Sequence, residues 1–541
     1  MARGSVTGRA AARAGLIAAF ALAGAAACTR SEPGGATGAT GGAASPAGRR
    51  VAGTDARTLA ASPDGAWLAY REGCREARGQ FLPPGTASCD LRVVPSAGGE
   101  AVKVGVAVTT LPHAVAWHPA APLLAFLGDY DYVAGTGKLQ LSSAGAGPTV
   151  VADGVGFFGF VPGAGAPRVA ALSGGKLLLA GAGQDAAAVP GAEGLTSFEL
   201  NPGPGAEGPG VAALLRRPAR TGGALLAQGR DGKVRELAAS AGDYAFAAGG
   251  GAYAFGVQGK EGYDLQVVVG AGGPRLAGRA VRSFAFSPDG KALAFVEGAR
   301  PGKQGDSRAG PVGGPWELLG KDVGEFGWAR GAERLAWLEA YDARVRSGTA
   351  AAGGPGAPRR AFGKSVTDLE LSPDGRWVAY VQHTSRGGYS VDSWVAPVDG
   401  AAPAAQVATG VFGFSFSPDS RWLYYRTRCV RNAEACDLER VPSAGRDAGK
   451  APDVLAQGLK SFEFDARDPD RLLLGWQRMD RAALDVGVLE HGKLVRVDTL
   501  VQPGTAMLLG PDSRRLAYVV VDPKRAGVWV ADLAAAAAAA R

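Results

Sequence analysis

The side chains best able to do chemistry here are few: five cysteines and four histidines in 541 residues. Cys28 stands apart, and Cys74, Cys89, Cys429 and Cys436 form two local pairs. Paired thiols can make a disulfide or half of a metal site. The histidines (His113, His118, His383, His491) show no HxH, HExxH or CxxC spacing, so no metal site and no cofactor are expected. No GxSxG nucleophile elbow is present. The aspartates that recur, Asp64, Asp289, Asp374, Asp419 and Asp512, each sit in the turn phrase Ser/Gly-Pro-Asp-Gly/Ser. One per repeat, they read as turn formers rather than as converging acids. The chain is therefore expected not to be an enzyme.

The cysteines also report on the compartment. Residues 1–27 carry Arg3, Arg9 and Arg13 ahead of an apolar run too short to span a bilayer, which suits a signal peptide. The run ends Ala25-Ala26-Ala27 directly before Cys28 and resembles a bacterial lipoprotein signal, although Ala25 stands where that family usually has Leu. The resemblance implies lipidation of Cys28, which leaves four cysteines and no stray thiol. An ordinary signal-peptidase cut before Cys28 is the alternative. Residues 28–50 lack large apolar side chains and read as a flexible, lipid-anchored linker. Thr29, rather than Asp, follows the cysteine, which by the same resemblance favours the outer membrane. The expected location is the periplasm or cell surface, with contact to the membrane through the lipid only.

The formal charge of +8 falls to +5 without the three leader arginines. No dense basic stripe interleaves with aromatics, which argues against nucleic acid as a partner.

These residues are positioned by a repeat. LAASPDGAWLAYRE (59–72), FAFSPDGKALAFVE (284–297), LELSPDGRWVAYVQ (369–382), FSFSPDSRWLYYRT (414–427) and MLLGPDSRRLAYVV (507–520) share one pattern. Weaker copies fill the gaps at a period of roughly 45 residues, giving about eleven units between residues 55 and 535. Each unit reads as two short strands joined by a type I turn, then a third strand and a weaker fourth. Four antiparallel strands per repeat is the arithmetic of a β-propeller blade. Trp67, Trp377 and Trp422 share one register and read as packing between blades.

The phrase [FL]-x-[FL]-S-P-D-G-x-x-[LV]-A-[YF] resembles the TolB-type, WD40-like (PD40-type) propeller repeat of exported bacterial proteins. That implies an all-β fold with about eleven four-stranded blades. Because a ring usually holds four to eight blades, two propellers in tandem are expected, residues 51–280 and 281–533, with a tail at 534–541. A single unusually large ring is the alternative. The segment RRVAG (49–53) offers a strand to a closing blade.

By this resemblance the expected function is a protein-protein interaction scaffold at the cell envelope, with unidentified envelope proteins as partners. The alternative is a small-ligand, carbohydrate or peptide binder, or an enzyme, using the central channel. Candidate binding-rim residues are Asp129, Tyr130, Asp131 and Tyr132 of GDYDY, with Arg426, Arg428 and Arg431, beside inter-strand loops. CDLRVVPSAG (89–98) and CDLERVPSAG (436–445) repeat one sentence, and each cysteine pair lies at a hairpin root. Disulfides Cys74–Cys89 and Cys429–Cys436 are therefore predicted.

Overall fold

The computed structural model describes residues 48–53, 55–77, 82–144, 146–163, 165–181, 183–203, 213–217, 223–229, 231–300, 302–383, 391–430, 435–445, 450–478 and 482–539. Cys28 and Arg431 lie outside them. Among the described residues the fold is all-β, with one short α-helix, Leu533–Ala539, and one 3-10 turn, Ala248–Gly250. None of the described helices is long and apolar enough to cross a membrane.

The strands form a ring of antiparallel sheets in a β-propeller arrangement. Five sheets are separate four-stranded meanders, spanning residues 59–109, 197–238, 241–281, 283–320 and 414–459. The expected eleven separate blades are thus corrected to five. The other strands belong to a seven-stranded sheet at 115–188 and two eight-stranded sheets, one at 325–408 and one built from 461–532 with the strand Gly48–Ala52. The merging has local causes. Strand Thr149–Phe160 runs unbroken and pairs with both Thr136–Ser143 and Arg168–Ser173. Elsewhere single bridges, Gly348↔Val366 and Val501↔Val520, zip neighbouring meanders together.

The sequence signal for the turns is physically legible. In Ser62-Pro63-Asp64-Gly65 the Gly65 amide donates to the Ser62 carbonyl at 2.8 Å, closing the turn. The Ser62 hydroxyl donates to Asp64 at 2.5 Å and accepts from the Trp67 amide at 2.9 Å. Asp374 and Asp419 repeat the same bond from Ser372 and Ser417 at 2.6 Å. Chiefly through such Ser hydroxyls the Asp64 and Asp289 carboxyls are held below their ordinary range. His118, which replaces Ser in the second repeat, accepts from the Ala120 amide at 3.1 Å and performs the same turn role.

The N-terminal strand closes the ring. Gly48, Arg49 and Arg50 pair with Ala531, Val530 and Trp529 of the last strand. Behind that seam Val51, Leu68, Tyr70 and Val94 pack with Leu509, Ala517, Val519 and Val528, so the first sheet buries its face against the last. Each such fully buried aliphatic side chain contributes about 1.5–3 kcal/mol. The division expected at residues 280 and 281 meets no break: Leu265, Val267, Val281, Leu293 and Phe295 form one buried cluster across it. The two-ring expectation is corrected accordingly, because closure of the first sheet on the last leaves one circuit of packed sheets.

Candidate functional site

The first strands of successive meanders approach one another. The Trp117 indole donates to the Ala60 carbonyl at 3.3 Å, and Trp328 to the Ala285 carbonyl at 3.1 Å. The Ser415 hydroxyl donates to Glu370 at 3.2 Å. These strands therefore line the centre of the ring. The middle residue of the phrase [FL]-x-[FL] recurs there, as Ala60, Ala116, Ala285, Gly327 and Ser415, but also as Glu199, Glu370 and Glu463.

Glu370 is the most perturbed of these acids. Burial pushes its carboxyl up to about 7, opposed by Arg330, 3.8 Å away, and by the hydrogen bond from Ser415. Glu199 is also raised by burial, opposed by the Phe246 backbone amide. In both cases a carboxylate reaches the first strand of the next meander and accepts a bond from it. The sequence did carry this signal, as an acid between two large apolar residues of an inner strand, although it was absorbed into the strand pattern. Among the described residues no group of three His, Cys, Asp or Glu side chains is placed to hold a metal ion.

Antiparallel meanders put the Ser-Pro-Asp turns at one end of the ring. The hairpins between second and third strands, and the lead-ins to each next sheet, lie at the other. This second face carries both disulfides, Cys74–Cys89 (S–S 2.11 Å) and Cys429–Cys436 (S–S 2.03 Å), paired as predicted.

The rim candidates lie on this face and have local partners. Asp131 accepts from the amides of Val133 and Ala134, forming a hairpin turn. Asp129 pairs with Lys138 at 3.0 Å. Tyr130 and Tyr132 meet edge to face at 5.1 Å, and the Tyr132 hydroxyl donates to the Ala87 carbonyl at 2.7 Å. Arg428 is exposed and pairs with Asp437 at 2.7 Å and Glu439 at 2.5 Å. Arg426 turns inward, donating to the carbonyls of Phe412 and Lys460 at 2.9 Å each. The structure does not gather these residues into one site. Trp67, Trp377 and Trp422 are half-buried between sheets, and Arg440 lies 4.1 Å over the Trp422 ring.

No family model matches the chain, and no curated protein matches it. Solved structures do. A eukaryotic initiation factor is 12% identical, over 75% of this chain and 89% of that one, with a TM-score of 0.41. The tricorn protease is 13% identical over 89% of this chain, TM-score 0.29, and dipeptidyl peptidase 4 of Porphyromonas gingivalis is 12% identical over 62%, TM-score 0.36. This chain spans 59% and 58% of those two. The expectation that the chain is not an enzyme is corrected by these comparisons, since peptidases stand among the structures it resembles. With every TM-score below 0.5, none of them assigns it an activity.

Proposed function

We propose that this chain is an exported, lipid-anchored propeller of the TolB-like type that binds a protein partner at the bacterial envelope. The observation that carries this reading is the face of the ring bearing both disulfide-stapled hairpins. Disulfides persist in oxidising compartments, which supports export. A stapled loop keeps its shape when a partner docks and so loses less conformational freedom on binding.

We further infer that each merged sheet comprises two blade units, so that about eleven meanders complete the circuit. The junctions that support this are the unbroken strand Thr149–Phe160 and the two single bridges. Sheets pack about 10 Å apart face to face, closer at their inner edges, so such a ring has an opening on the order of 30 Å. An opening of that width accepts a polypeptide segment more readily than it encloses a small molecule.

Crosslinking in intact cells followed by affinity capture tests the partner. Recovery of one stoichiometric envelope protein, lost when the 74–89 and 429–436 hairpins are replaced by short turns, is the expected result. Loss-insensitive capture would refute the assignment to this face. Mass spectrometry of the mature N-terminus is expected to show an acylated Cys28.

A further inference from the structure

The position directly after a paired residue of the second strand is occupied by arginine in three sheets. Leu59 pairs with Tyr70, Phe198 with Leu215 and Phe414 with Tyr425. The next residue in each case is Arg71, Arg216 and Arg426. Repeats at the same register carry Leu127, Val296 and Val381, all buried. An arginine at this buried position needs acceptors.

Two of the three find them in the lead-in to the following sheet. Arg216 donates to the carbonyls of Ala241 at 2.6 Å and Gly242 at 3.2 Å. Arg426 donates to the Lys460 carbonyl at 2.9 Å. Gly242 and Lys460 each stand two residues before the inner-strand residue that pairs with the next sheet's second strand, Tyr244 and Phe462. The corresponding residue for Arg71 is His113, two before Val115. His113 has a left-handed backbone, φ 66°, and accepts nothing from Arg71. Among the described residues the bond from Nη1 to the Thr58 hydroxyl, 3.0 Å, is the one hydrogen bond that the Arg71 side chain makes. Nε is buried without an acceptor, and Arg71 forms no ion pair.

Arg71 is 9% exposed and lines an open cavity of about 230 Å³, with His113 on its wall. The other walls are mixed: Leu59, Leu91, Pro112 and Val115 are apolar, while Thr58 and Thr110 are polar. Burial lowers the guanidinium to about 10, so it stays charged at neutral pH. A buried charge without a counter-ion is costly. The same register is satisfied elsewhere by aliphatic side chains, so packing alone does not require it.

We propose that this cavity is a binding site for a small monocarboxylate, held by the Arg71 guanidinium. A guanidinium donates charge-assisted hydrogen bonds to a carboxylate. One positive charge balances a monoanion and leaves a phosphate dianion half-neutralised. A cavity of this size has room for a short chain or the last residue of a peptide. The site stands independently of the envelope partner and of lipidation.

The test is calorimetric titration of the purified protein with butyrate, butyramide, inorganic phosphate, and trialanine with either a free or an amidated C-terminus. Butyrate is expected to bind and butyramide not to. Binding of free but not amidated trialanine would assign the carboxylate to a peptide end; its failure beside butyrate binding would assign it to a free acid. Arg71→Leu, which restores the aliphatic residue of the other repeats, is expected to weaken binding at least tenfold while the protein stays folded. Leu59→Trp, which fills the cavity and keeps the charge, is expected to do the same. No binding of any carboxylate, equal binding of butyramide, tighter binding of phosphate, or undiminished binding by Arg71→Leu would each overturn the proposal.

Discussion

The sheets at 59–109 and 414–459 are written in nearly the same words and solve one problem differently. Both have a stapled hairpin, and both place an arginine one residue after a buried tyrosine. In the second sheet Arg426 ties its own lead-in to the next one, through the carbonyls of Phe412 and Lys460. In the first, the Arg71 side chain reaches only Thr58; the lead-in at His113 turns left-handed and a cavity lies beside it. The same residue type is a structural strut in one sheet and an unspent donor in the other. Register alone does not decide which; the backbone of the neighbouring sheet does.

The two staples carry the largest expected effects. In the chain-entropy account the cost of opening a disulfide grows with its loop, here separations of 15 and 7 residues. Replacing Cys74 and Cys89 with serine is expected to destabilise by about 3 kcal/mol, and the Cys429 and Cys436 pair by about 2.4 kcal/mol. Chemical denaturation of the two double variants reads the difference. An equal or reversed order would mean that loop length does not set the contrast.

The arginines come next. Arg426→Leu strips donors from two carbonyls at a sheet junction and is expected to cost about 2 kcal/mol. Arg71→Leu removes a buried charge that has one neutral partner, and is expected to gain about 1 kcal/mol. Opposite signs in thermal denaturation would sharpen the comparison. Equal losses would break it and return Arg71 to a structural role.

Much of this was legible before any coordinates. The Ser-Pro-Asp-Gly turns, the four-strand repeat, the closing strand at Gly48–Ala52 and both cysteine pairings follow from local rules, because turn chemistry and hairpin roots are written within a few residues. The count of separate sheets was not legible. A strand such as Thr149–Phe160 that serves two meanders looks like two short strands in sequence, and a single bridge like Val501↔Val520 leaves no trace in composition. The tandem division also failed, because it rested on the usual size of a ring while packing across residue 280 is continuous. Of the site, Arg71 stands in plain view as a charge in an aliphatic register. What sequence withheld was the φ of His113 and the cavity beside it.

The smallest expected effect lies at the inner strands, where the two sheets again differ. The first meets its successor through the Trp117 indole on the Ala60 carbonyl, a contact with nothing to titrate. The second receives Glu370 from its predecessor, whose carboxyl burial lifts from 4.5 to about 7. Its folded-state pKa is therefore above its unfolded one, so the folded protein holds the proton more tightly. That contribution is fully present below about pH 4.5 and is lost as pH rises through about 7. Glu370→Gln mimics the protonated carboxyl. Its stability relative to the wild type is expected to be flat well below pH 4.5, to rise between about 4.5 and 7 and to level off above, by about 1 kcal/mol once exposure of the side chain is allowed for. Denaturation midpoints across that range decide the matter. A difference that does not change between pH 5 and 8 would mean that Arg330 and Ser415 hold Glu370 ionised throughout. The inner junctions of the two sheets would then be electrostatically alike.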